Sequence, residues 1–135
     1  MWTAESTLDT TAAPAQVWKI WSDVEGWKRW NAGIAAIRLH GPFAQGTTFF
    51  MQPPGEEGFT STLIAVTENE NFSDETIVGD TRVVVHHRLT ALPAGGTRIA
   101  YATEITGPDA AEVGAMVTAD FPDVLAALKN LAEEK

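Results

Sequence analysis

The sequence predicts an α+β fold in which a curved antiparallel sheet of about seven strands wraps a long C-terminal helix, with two short helices after the first strand. Three observations predict it. Residues 108–135 carry the one long helical pattern: Val113, Val117, Phe121, Val124, Leu128 and Leu131 recur at steps of three and four and trace one face of a 3.6-residue helix. The middle of the chain is a series of strand-like runs separated by short Gly, Pro and Asn turns, which close antiparallel hairpins and leave no length for crossovers. An amphipathic helix of this length cannot bury its stripe alone, and a sheet with one apolar face is the surface that takes it.

Taken in order, residues 2–9 alternate, with Trp2, Ala4, Ser6 and Leu8 on one side and Thr3, Glu5, Thr7 and Asp9 on the other, as in a half-buried strand. Pro14 suits a first helical turn, and Val17, Trp18, Ile20 and Trp21 follow at helical spacing. Ser22 and Asp23 are placed to cap a second short helix carrying Val24, Trp27 and Trp30. Strands are predicted over residues 34–39, 46–52, 59–67, 71–78, 80–91 and 97–106, bounded by turns such as Gly41-Pro42, Pro53-Pro54-Gly55 and Gly95-Gly96. In the fifth of these, Val83, Val85 and Leu89 share a face with His87, while Arg82, His86, Arg88 and Thr90 share the other; in the sixth, Ile99, Tyr101, Thr103 and Ile105 face together. Gly107 and Pro108 end the strand, and Asp109 and Glu112 put acid in the first turn of the last helix, where exposed amides favour it. Pro122 predicts a kink, or a restart with Asp120 as N-cap.

At 135 residues the chain reads as one domain, 1–135, with room for a sizeable core. The 18 acids outweigh the 9 bases for a formal charge of -9, which argues against a nucleic-acid partner, since phosphate binding needs clustered Lys and Arg. No apolar run approaches a membrane span, the opening M-W-T-A-E-S-T-L lacks the regions of a signal peptide, and the cytoplasm is the expected compartment. The absence of cysteine removes disulfides, thiolate nucleophiles and Cys-ligated zinc together. No cofactor motif is present: Gly95 and Gly96 belong to a hairpin, and no Gly-x-Ser-x-Gly elbow occurs. His86 and His87 point to opposite faces of one strand and cannot chelate one metal, and His40 lacks an evident partner. The acidic runs Glu56-Glu57, Glu68 to Glu70 and Glu133-Glu134 read as solvated surface.

The element order, together with V-W-K-I-W-S-D-V-E-G-W-K-R-W-N at 17–31, R-L-H-G-P-F at 38–43, H-H-R at 86–88 and T-G-P at 106–108, resembles the polyketide cyclase/dehydratase branch of the START-like (SRPBCC) superfamily over essentially the whole chain. The resemblance implies a helix-grip fold, a curved sheet around the C-terminal helix with a cavity between them. It also implies a small hydrophobic ligand, lipid-like or aromatic, in a monomer or homodimer. Some members of that superfamily catalyse cyclisation or dehydration; others carry a ligand or bind a protein, so fold alone does not choose.

His87 leads the candidate residues, because it interrupts an apolar face and points toward the last helix. It is either a hydrogen-bonded core histidine or, in a cavity, a neutral imidazole suited to accept a proton or a ligand hydrogen bond. Tyr101 and Thr103 on the next strand place two hydroxyls near it, with Tyr101 the group that would polarise a carbonyl in an enzymatic version. Trp27 and Trp30 are read as core or as a roof over a flat ligand, Phe50 and Met116 as apolar lining if a pocket exists and as packing if it does not, and Val85 and Phe121 as further ligand-binding positions. Three functions stay open at this level: carrier, enzyme with His87 as base, and interaction module with a filled core.

Overall fold

The computed structural model describes residues 1–134. The elements are β1 (Trp2–Thr10), α1 (Pro14–Ser22), a 3-10 helix (Val24–Arg29), β2 (Ala36–Leu39), β3 (Thr48–Gln52), β4 (Phe59–Thr67), β5 (Asn71–Val78), β6 (Thr81–Ala91), β7 (Thr97–Thr106), α2 (Ala110–Thr118) and α3 (Phe121–Ala132). The seven strands make one antiparallel sheet in the order β1-β7-β6-β5-β4-β3-β2. Short turns force the run β2 to β7 into successive hairpins, and β1 joins the outside of β7 with Trp2 opposite Ile105 and Thr10 opposite Thr97.

Residues directly opposite one another in paired strands share a face, so the register reads out the inner surface row by row. One row runs Val66, Phe72, His87, Tyr101, Ser6, and the next runs Leu63, Asp74, Val85, Thr103, Ala4. A register shift between Leu63 and Ala65 turns Leu63 and Val66 to the same side, although three positions separate them.

The C-terminal helix divides in two, as the restart reading expected. Asp120 occupies the N-cap position of α3, but its side chain makes no capping hydrogen bond. Pro122 lies in the first turn of α3, where a missing amide is tolerated, and the same missing amide ends α2 at Thr118. Asp23 likewise caps nothing with its side chain; its carboxylate pairs with Arg29 at 2.9 Å.

α2 packs on β7 and β1, and α3 on β1 and α1. The seat of α2 is close: a Cβ on Gly114 would lie 2.4 Å from the Trp2 ring, so only glycine lets the helix approach that indole. α3 buries Val124, Leu125, Leu128 and Ala132. Two apolar clusters result. The larger gathers Trp18, Trp21, Trp27, Phe49, Leu63, Phe72, Tyr101 and the buried face of α3; the smaller holds Val83, Val85 and Ile105 under Trp2, Val113 and Val117. Phe121, at the helix junction, packs against both.

Candidate functional site

His87 is held at the aromatic end of the inner face. Its ring stacks on Phe72 with centroids 3.9 Å apart and planes 6° from parallel, and the edges of Trp21 and Tyr101 approach at 5.9 and 4.5 Å. Nδ1 lies 3.2 Å from the Phe72 carbonyl oxygen. A carbonyl only accepts, so Nδ1 carries the hydrogen and Nε2 is the bare acceptor. Burial pulls the imidazole pKa down to about 3, against the smaller opposing pull of the Phe72 hydrogen bond. The ring is therefore neutral at ordinary pH and a weak base. Of the two readings of His87, the packing matches the core histidine and not an imidazole facing open space: three aromatic rings, Phe72, Trp21 and Tyr101, and the Phe72 carbonyl surround it, with Trp21 reaching in from α1.

Tyr101 does not bond the imidazole. Its hydroxyl accepts from Trp21 Nε1–H at 3.3 Å, burial raises its pKa well above the usual phenol value, and its ring meets Phe121 edge-on at 5.4 Å. Trp27 is buried with its Nε1–H donating to the Trp21 carbonyl at 2.9 Å. Half-buried Trp30 sits against it with centroids 6.4 Å apart.

One row along the strands the chemistry changes. Asp74 of β5 stands opposite Val85, which stands opposite Thr103. The Asp74 side chain is 14% exposed, and among the described residues it makes no side-chain hydrogen bond; its closest basic atom is His87 Nδ1 at 3.9 Å. That distance is too long for a hydrogen bond, and a neutral imidazole makes it no ion pair. Burial alone pushes the Asp74 carboxyl up to about 7. Thr103 is 1% exposed and its Oγ1 has no hydrogen-bond partner among the described residues. By contrast the neighbouring Ser61 and Thr76 hydroxyls satisfy each other at 2.5 Å.

Asp74 is the residue that sequence reasoning missed. In Asn71–Val78 the apolar residues Phe72, Ile77 and Val78 fall on both parities, so alternation alone does not say which side is buried. Pairing of Phe72 with His87 decides it. Val85, Thr103 and Phe121 lie where they were expected, on or over the inner face. Two lining expectations are corrected. Phe50 alternates with the buried Phe49 and points to the other side, where its ring covers Gly58; Met116 is 70% exposed on the solvent side of α2. On the outer face His86 Nδ1 lies 2.7 Å from Ser73 Oγ, and its Nε2 lies 3.5 Å from Glu104.

Two open hollows lie along β1. One of about 290 Å³ is lined by Ser6, Thr7, Leu8, Pro122 and Leu125, and one of about 610 Å³ by Glu5, Thr7, Leu8, Asp9 and Arg98. Neither includes His87, Asp74 or Thr103.

A family model described as "Polyketide cyclase / dehydrase and lipid transport" matches residues 1–133. The chain belongs to that family. Solved structures agree on the helix-grip fold. Protein MLL2253 from Mesorhizobium loti superposes with a TM-score of 0.81 at 18% identity, covering 96% of each chain. Ara h 8.0201 does so at 0.77 and 17%, covering 97% of each. Norcoclaurine synthase from Thalictrum flavum, in complex with dopamine and hydroxybenzaldehyde, gives 0.78 and 15%, covering 99% of this chain and 88% of that one. Comparison with curated proteins returned no significant match. Among the described residues no helix is long and apolar enough to cross a membrane.

Proposed function

We propose that this family member binds a small hydrophobic ligand on the inner face of the sheet, beneath α2 and over the row Asp74, Val85, Thr103. The observation that supports it is a buried hydroxyl without a protein partner, Thr103 Oγ1, in one row with the partly exposed and likewise unpartnered carboxyl of Asp74. An unmet buried hydroxyl or carboxyl costs about 1–3 kcal/mol, and natural structures keep such groups where something else meets them. Around them Val83, Val85, Ile105, Val113, Val117 and Phe121 supply apolar walls. The family description and the small-molecule complex of norcoclaurine synthase lend weight to the same reading. Neither hollow along β1 reaches the row, and we take entry to go by movement of α2 about its junction with α3, where Pro122 has already removed one helical bond.

Acid–base turnover is the second reading, and one observation favours it. A carboxyl near 7 is matched to proton transfer at neutral pH, which an imidazole near 3 is not. In that version Asp74 replaces His87 as the proton-transfer group, and His87 only shapes the site.

Titration of isotopically labelled protein with methylnaphthalene tests the binding reading. Amide shifts should concentrate at Asp74, Val85, Thr103, Val113 and Val117. Absence of shifts there, or shifts confined to the exposed Ile77 and Val78, would refute it.

A further inference from the structure

The charge lining the inner face narrows the ligand class. Among the described residues every Lys and Arg lies toward the exterior: Arg82, Arg88 and Arg98 on the outer face of the sheet, Lys129 within 3.8 Å of Glu133, and the others exposed. His87 commits its one hydrogen to the Phe72 carbonyl, and Tyr101 already accepts from Trp21. In the row Asp74, Val85, Thr103 the inner face thus offers a ligand one carboxyl without a partner, on Asp74, and one unmet buried hydroxyl, on Thr103, while His87 Nε2 and the Tyr101 O–H lie one row away among the aromatic rings.

We infer that the inner-face site takes a hydrophobic amine, its nitrogen held by the Asp74 carboxylate and an adjoining polar atom met by Thr103 Oγ1, and that it rejects hydrophobic acids. This rests on the binding reading above. Asp74 and Thr103 lie two strands apart, about 9.6 Å between backbones at a strand spacing of ~4.8 Å. Two hydrogen bonds of about 2.8 Å reaching inward leave roughly 4 Å or more between the ligand's polar atoms, with its apolar body over Val85. An ammonium converts an uncompensated buried carboxyl into a charge-assisted pair, the strongest single contact this lining can make. A carboxylate in the same place would put like charges together with no cation to offset them, so fatty-acid-like ligands are disfavoured by the residues themselves. The overall charge of -9 acts in the same direction, drawing cations toward the protein and repelling anions. A carboxyl raised to about 7 fits a group that waits for a cation.

Three probes of one shape test it: naphthylmethylamine, methylnaphthalene and naphthoic acid, with dissociation constants measured by calorimetry at neutral pH. The amine should bind about tenfold more tightly than the hydrocarbon, and the acid more weakly than either. Asp74→Asn should erase the amine preference while leaving methylnaphthalene binding in place. Thr103→Val should weaken the amine by about threefold. Glu75→Gln, one residue away on the outer face and paired with Arg82, should change neither. Equal binding of amine and hydrocarbon, tighter binding of the acid, or a preference that survives Asp74→Asn would overturn the amine assignment while the hydrophobic site stands. Failure of all three probes to bind would overturn the site itself.

Discussion

The two ends of the inner face are built from the same strands and behave oppositely. At the aromatic end Trp21 Nε1, Trp27 Nε1 and His87 Nδ1 each reach a partner, and Phe72, Trp18 and Tyr101 close around them. One row further along, beside Val85, a partly exposed carboxyl and a buried hydroxyl make no side-chain hydrogen bond among the described residues. The first end meets the rule that buried polar groups are hydrogen-bonded; the second breaks it at Thr103 Oγ1, in the same row as a partly exposed carboxyl that makes no side-chain hydrogen bond. Stability is concentrated where the polar groups are met, and the proposed ligand site lies where they are not. The histidine that draws the eye in the sequence belongs to the sealed end.

Trp21→Ala is the largest expected blow to this division, because Trp21 is fully buried and touches Phe72, His87 and Tyr101. It should cost about 3–5 kcal/mol in urea unfolding. A loss under about 1 kcal/mol would mean that the aromatic end is not the stabilising one.

pH dependence separates the two ends more finely. Asp74, with a folded pKa raised from 3.8 to about 7, keeps a proton that the unfolded chain releases, so its contribution to stability falls as pH rises through that window. His87, lowered from 6.5 to about 3, refuses a proton that the unfolded chain takes, so its contribution is lost as pH falls through its own window. The slopes oppose each other wherever the windows overlap, each at most about 1.4 kcal/mol per pH unit. Relative to the parent, Asp74→Asn should therefore gain stability progressively as pH rises from about 4 to 6, and His87→Gln should lose it over the same range. Parallel profiles for both variants would erase the distinction. The smallest effect should come from Thr103→Val, which removes an unmet hydroxyl at nearly constant volume and should raise stability by about 1 kcal/mol. Lower stability would show that Thr103 Oγ1 has a partner after all.

Much of the architecture was legible in residue order. Alternation in β1, β6 and β7 assigned their faces, the Gly and Pro turns bounded the hairpins, and the stripe from Val113 to Leu131 with Pro122 inside it announced a helix that breaks. Those signals are local: period, turn chemistry and a missing amide are properties of neighbouring residues. The site was legible only in part. Val85, Thr103 and Phe121 could be placed because their strands and helix alternate cleanly, whereas Phe50 was assigned to the wrong side of β3 because Phe49 and Phe50 are equally apolar and only pairing with Ser61 chooses between them.

Sequence alone determined which segments extend, which coil, and that a sheet must receive the last helix, since each follows from patterns a few residues long. Tertiary structure decided that Trp21 of α1 packs with Phe72 and Tyr101 around His87, that Asp74 turns inward, and that it shares a row with Thr103 across Val85. Those outcomes depend on the pairing of residues 11 or more positions apart in the chain and on competition for the same interior volume, and neither quantity exists until the sheet has closed over its helices.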